Sequence, residues 1–270
     1  MTVGVAVPEW TGTVIERVTF GQALRDTAAL AGRGLTRFRH NPHQLVDVIV
    51  VPIVFTIMFA NIFGGAVSGS VTDYLPQLVP GVAVSVAVTT SVITGVQLRE
   101  DMDTGVFDRF ISLPIARVAP LAGLLIADTF RYLIATVVSL TVGVALGYRP
   151  DSVIGALAAT LLTVFAAFSI SWIFALMGVL MSKASAVQGI SMLILMPLTF
   201  TSNAYVPTET MPGWMQRVAD VNPVSHLVSA YRDLADGLTV SADLGWTLLG
   251  TVAIIAIIAP ITVRTYLRRV

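Results

Sequence analysis

Six apolar blocks, each about long enough to cross a bilayer, restrict what this chain can fold into: 45–63, 78–96, 119–148, 153–181, 184–204 and 244–263. A hydrocarbon core of roughly 30 Å takes about 20 helical residues. Backbone N–H and C=O groups in hydrocarbon must be satisfied within the segment, which selects helices. The alternating strands of about 10 residues that mark a membrane barrel are absent from the pattern. Four blocks carry no charge; the first holds Asp47 and the third holds Asp128 and Arg131. Only 12% of the 270 residues are charged and 55% are hydrophobic, too few charges to cover a soluble fold of this size. The expected class is an all-α membrane protein with six transmembrane helices.

Orientation follows from the basic residues near the span ends. Arg17, Arg25, Arg33, Arg37, Arg39, Arg99, Arg109, Arg117, Lys183, Arg264, Arg268 and Arg269 fall on one side. The other side has only Arg149, Arg217 and Arg232. That asymmetry predicts both termini in the cytoplasm. The first 43 residues do not read as a cleavable signal, so the first block is expected to stay as an anchor. The expected organisation is a cytoplasmic segment 1–43, a six-helix unit 44–264 and a tail 265–270. Within the unit lie a cytoplasmic loop 98–118 and an extracellular segment 205–241.

Residues 13–40 carry Val14, Val18, Gly21, Leu24, Ala28, Ala31, Leu35 and Phe38 at intervals of three and four, a helical period. Arg17, Arg25, Arg33 and Arg37 lie off that stripe. This predicts an amphipathic interface helix, either anchored by anionic lipid or docking a soluble partner. In the loop 98–118, Thr104 is expected to cap a short helix 106–113 that Pro114 stops. Phe107, Phe110 and Leu113 would share its face, with Asp108 and Arg109 beside it, a knob for another protein's groove. A connector packed on its own bundle is the alternative.

The segment 205–241 is too long for a plain loop. Asn222 suits an N-cap, Pro223 the first helical position and Gly237 the position after the end. Val224, Leu227, Val228, Tyr231 and Leu234 would form its apolar face, with Arg232 and Asp236 opposite. A second short helix is expected to start near 211–215. Two such helices suggest extracellular re-entrant elements, or a peripheral lid. Asp128 and Arg131, at i and i+3, predict an intramembrane ion pair.

Several chemistries are missing. Zero net charge, 16 basic against 16 acidic, argues against nucleic acid as a partner. With no cysteine there is no disulfide or thiolate site. The single lysine, Lys183, sits in Ser-Lys-Ala and cannot complete a Walker A loop. No Gly-x-Ser-x-Gly elbow is present. His40 and His43 flank Pro42 without a third metal ligand, and His226 reads as solvated. Gly143 and Gly147 form one Gly-x-x-x-Gly packing signal. No catalytic residues, metal or cofactor are expected in this chain.

The most specific block is Asp101-Met-Asp-Thr-Gly-Val-Phe-Asp-Arg-Phe-Ile-Ser-Leu-Pro-Ile-Ala-Arg117, continuing to Asp128 and Arg131. With Arg39-His-Asn-Pro42, Val206-Pro-Thr-Glu-Thr-Met-Pro-Gly-Trp214 and Asn222-Pro-Val-Ser-His226, it resembles the transmembrane subunit of type-2 ABC exporters, specifically the daunorubicin-resistance type. The resemblance implies that two permeases pair, as a homodimer or with a paralogue. Each docks on a separate ATP-binding subunit that holds ATP and Mg. It assigns ATPase coupling to Glu100, Asp101, Thr104, Gly105, Phe107, Asp108, Arg109, Phe110, Leu113, Pro114 and Arg117. It also implies a substrate path along the first, second and fifth spans, where Phe55, Phe59, Met192, Met196 and Phe200 are the large, soft side chains. Packing or lipid contact is the alternative for each. The lack of charge there favours a hydrophobic or amphiphilic small molecule such as an antibiotic, with lipid or polysaccharide as alternatives. An ion-gradient-driven transporter would need Asp128 on the path. No constellation supports a membrane enzyme.

Overall fold

The structure, a computed structural model, describes residues 19–105, 115–237 and 240–269. Among these residues the chain is helical and without strands. In chain order the helices are α1 (Phe20–Arg39), α2 (Pro42–Ser68), α3 (Val71–Thr90), α4 (Val92–Asp103), α5 (Ala119–Leu146), α6 (Val153–Leu180), α7 (Ala184–Phe200), α8 (Gly213–Val221), α9 (Pro223–Ala235) and α10 (Ala242–Arg269). A 3-10 turn, Thr208–Thr210, precedes α8.

Among the described residues, five segments are long and apolar enough to cross a membrane: Gln44–Ser68, Val71–Asp103, Ala119–Leu146, Val153–Leu180 and Ala242–Arg269. The fifth expected block yields α7, only 17 residues, about 25 Å by the helical rise. It ends at Thr201, after which the N–H and hydroxyl of Ser202 both turn to the Thr199 carbonyl and the chain leaves the helix. The second expected block is longer than hydropathy suggests. Ser70 caps the Asp73 N–H, so α3 begins seven residues before position 78. Ser91 then donates to the Val88 carbonyl at 2.6 Å and marks the bend between α3 and α4.

The α3–α4 segment is the most buried span. Around α3 pack α2, α5 and α9, while α6 contacts α4, α5, α9 and α10. α7 rests chiefly on α4. Where helices touch most closely, small residues permit it. A Cβ on Gly95 of α4 would lie 2.1 Å from the Phe174 carbonyl oxygen of α6. One on Gly178 of α6 would lie 2.4 Å from the Gly95 carbonyl oxygen. The expected Gly-x-x-x-Gly pair divides its work. Gly143 admits Val79 of α3, while Gly147, at φ +115°, ends α5.

The 205–241 segment folds as α8 and α9. Asn222 caps α9 by accepting from the Val224 N–H at 2.9 Å, and Gly237 follows the end at φ +85°. Val224, Leu227, Val228 and Tyr231 are buried. Arg232 differs from expectation. Its guanidinium turns inward and donates to the carbonyls of Gln77 and Asn203, both at 2.8 Å. Burial lowers its pKa to about 10, so it stays charged at neutral pH.

Candidate functional site

One end of the bundle is built by α1, the end of α4 and the start of α5. α1 packs along the first half of α5 through Gly34 against Ala127 and Gly123 against Leu30. The expected stripe is buried only in the second half of the helix. Ala31 and Phe38 are buried, but Leu24 is 54% exposed and Gly21 and Ala28 are exposed. Glycine at 34 lets α1 approach α5 on the side that carries Thr27, Leu30 and Ala31. Arg25 and Arg33 lie at exposed positions, and Arg37 pairs with Asp101 at 3.0 Å. The Ala116 N–H donates to Asp26 at 3.2 Å, a second tie from α1 to the loop 98–118. Within α4, Arg99 pairs with Asp103 at 2.5 Å and also donates to the Met181 carbonyl at the end of α6.

Of the residues expected to couple to an ATPase, Glu100, Asp101, Thr104, Gly105 and Arg117 are described. Glu100, Thr104 and Arg117 are exposed. Thr104 closes α4, its hydroxyl donating to the Glu100 carbonyl at 2.9 Å. Gly105 follows at φ +66°, a backbone position that suits glycine. Phe107, Asp108, Arg109, Phe110, Leu113 and Pro114, with the helix expected at 106–113, lie outside the described residues, as does Arg17.

Midway along α4 and α5 sits a buried polar cluster. Asp128 and Arg131 form the expected ion pair at 2.8 Å, with side chains 1% and 2% exposed. Thr94 of α4 donates to Asp128 at 2.6 Å and shares a hydrogen bond of 2.7 Å with the Tyr132 hydroxyl. Arg131 donates to Gln97 of α4 at 3.2 Å and to Gln44 of α2 at 2.9 Å. The Phe38 ring of α1 lies 5.2 Å from its guanidinium carbon, within cation–π range. A buried charge pair tolerates its surroundings only when the remaining donors and acceptors are used. Gln44, Thr94 and Gln97 take up most of them here, leaving the Arg131 Nε without a hydrogen-bond partner, and with Phe38 they join α1, α2, α4 and α5 at one point.

Beyond the cluster, α2, α3, α4 and α7 line an open cavity of about 480 Å³. Phe55, Met192, Met196 and Phe200, four of the five expected path residues, line it together. Phe59, the fifth, lines an adjoining space of about 310 Å³ that shares Phe200 and Tyr205. The rings of Phe55, Phe59 and Tyr205 stack in series, with centroids 5.5 and 4.8 Å apart. Val92 and Ile93 of α4 also border the cavity. Sequence reading missed Asp47, the one carboxylate on this lining, and Gln188 and Tyr205 beside it. Asp47 alone left a signal, a charge inside an otherwise apolar block. Such an arrangement can hold an apolar or aromatic molecule and present a carboxylate to it. Asp128 borders neither space.

His226 is not solvated as expected. Its Nδ1 lies 2.5 Å from Asp243 at the start of α10. The ring of His40 is engaged with the Thr36 carbonyl at 2.8 Å, at the end of α1.

Residues 25–235 match the model of the ABC-2 type transporter family, and the chain belongs to that family. It is 41% identical over 252 residues to the daunorubicin resistance ABC transporter permease protein DrrB1 of Streptomyces coeruleorubidus, covering 93% of this chain and 89% of that protein. A second relative is the probable doxorubicin resistance ABC transporter permease protein DrrC of Mycobacterium tuberculosis H37Rv, 28% identical over 165 residues, 61% of this chain and 59% of that protein. The chain is thus a multi-pass membrane permease, and the ATP-hydrolysing subunit of such a transporter is a separate chain.

Proposed function

We propose that this chain is the permease half of an ATP-driven exporter that moves a hydrophobic or amphiphilic compound out of the cell. The names of the relatives, daunorubicin and doxorubicin resistance, favour the drug class of cargo. Two permeases pair, and each docks on an ATP-binding subunit that holds ATP and Mg. α7 serves as a sixth span, with both termini cytoplasmic, as the basic residues indicate. In this reading 44–264 is the transport unit, α8 and α9 cap it outside, and α1 with the loop 98–118 takes the push of the ATPase.

The observation that carries this reading is α4. At one end its Val92 and Ile93 border the aromatic cavity, its Thr94 and Gln97 hold the Asp128–Arg131 pair, and its far end bears Asp101 bound to Arg37 of α1. Twelve helical residues, about 18 Å, thus join the docking end to the cavity wall as one rigid element. Closure of the ATPase pair would displace α1 and α4 together and favour one of two arrangements of the bundle. The ion-gradient alternative needs a titratable carboxylate on the path. Asp128 is held by Arg131 and Thr94 away from both spaces, which leaves Asp47 as the carboxylate on that lining.

The absence of cysteine provides a direct test. A Thr104→Cys variant carries a single thiol at the end of α4. Bound to its ATPase partner, it is expected to cross-link to that subunit and to change its cross-linking yield with ATP. Equal labelling with and without the partner would contradict the docking role.

A further inference from the structure

A second cavity, about 610 Å³, opens on another side of the bundle, between α6, α7, α9 and α10. Its walls are apolar, among them Phe174, Leu198, Leu227 and Ile254. Gly250 and Ala166 keep it open on facing helices. Its polar lining is Thr247 and Thr251 of α10 with, at the rim, Asp220 of α8 and His226 of α9, the last bonded to Asp243. Trp246 lies on the same rim, 61% exposed, and Ile194 on the α7 side is 53% exposed. Because α6 and α10 are long and apolar enough to span a membrane, the walls they supply to the slot face hydrocarbon. An exposed indole beside carboxylates fits the level where a bilayer meets water.

We propose that this slot is a binding site for one membrane phospholipid. Its acyl chain fills the apolar length, and an amine-bearing headgroup meets Asp220 and Asp243. Two observations select this occupant. An apolar slot open to hydrocarbon is filled at least cost by an acyl chain. Its carboxylate rim favours a primary ammonium, which donates hydrogen bonds, over a quaternary one, which cannot. The site is separate from the Phe55–Phe200 cavity and requires only that α6 and α10 span the membrane, not that the chain exports anything.

The test uses the full chain in vesicles of phosphatidylethanolamine and phosphatidylcholine in equal amounts with identical acyl chains. Lipid retained after gentle detergent release is counted by native mass spectrometry. Retention of one phosphatidylethanolamine, several-fold over phosphatidylcholine, is expected. Gly250→Leu should abolish retention, because a Cβ there meets nothing within 4 Å and the side chain can enter the slot. Gly245→Leu, on the same helix, equally open and off the slot, should retain lipid. The pair Asp220→Asn with Asp243→Asn should keep one lipid but erase the headgroup preference. Equal retention by wild type and Gly250→Leu, loss in Gly245→Leu, or a preference that survives both Asn substitutions would overturn the proposal. None of these readouts involves ATP or transport, so failure here leaves the exporter reading standing.

Discussion

Arg131 makes contacts on three other helices, and its partner Asp128 is held by Thr94 on one of them. Breaking a buried ion pair from one side leaves an uncompensated charge and costs about 3–5 kcal/mol. Arg131→Met is therefore expected to lower the thermal midpoint in detergent sharply. Adding Asp128→Asn should recover part of that loss, since no unpaired charge remains. A double variant less stable than Arg131→Met would contradict the charge argument. The Arg37–Asp101 pair is different in kind, because Arg37 is 45% exposed and such pairs contribute roughly 0–1 kcal/mol. Arg37→Ala should leave the thermal midpoint nearly unchanged while reducing ATP hydrolysis by the docked partner, measured on the complex. Parallel loss of stability would make the pair a structural one.

At the scale of elements, α4 depends on its approach to α6. Gly95→Leu has no room beside the Phe174 carbonyl and should abolish recovery of folded protein by gel filtration. Gly189→Ala on α7 meets nothing within 4 Å and should be recovered at wild-type level. The elements differ in how far the chain announces them. Asn222, Pro223 and Gly237 mark both ends of α9, and its apolar face follows from spacing alone. α1 was legible as a helix but not as to its buried face. Ala31 and Phe38 of the expected stripe are buried, but Leu24 and Ala28 give way to Thr27 and Leu30, and contact with α5 at Gly123 decides between them. Arg232 and His226 read as surface groups because their partners, Gln77, Asn203 and Asp243, are distant or lie beyond a turn. The Asp128–Arg131 pair was visible from its i, i+3 spacing. Gln44 and Thr94, 87 residues from Arg131 and 34 from Asp128, meet it only through the fold.

Over the whole molecule, the aromatic cavity, the buried cluster and the Arg37–Asp101 pair lie in sequence along α4, and the sequence holds no Walker A loop. The work is done on another subunit, and in the proposed reading it is delivered through α1 and α4. The most direct check is uptake of a fluorescent hydrophobic drug into inverted vesicles, with this chain present alone, with its ATP-binding partner, or with both ATP and the partner. Accumulation is expected only with the partner and ATP together. Accumulation by this chain alone, or driven by an ion gradient without nucleotide, would contradict the account.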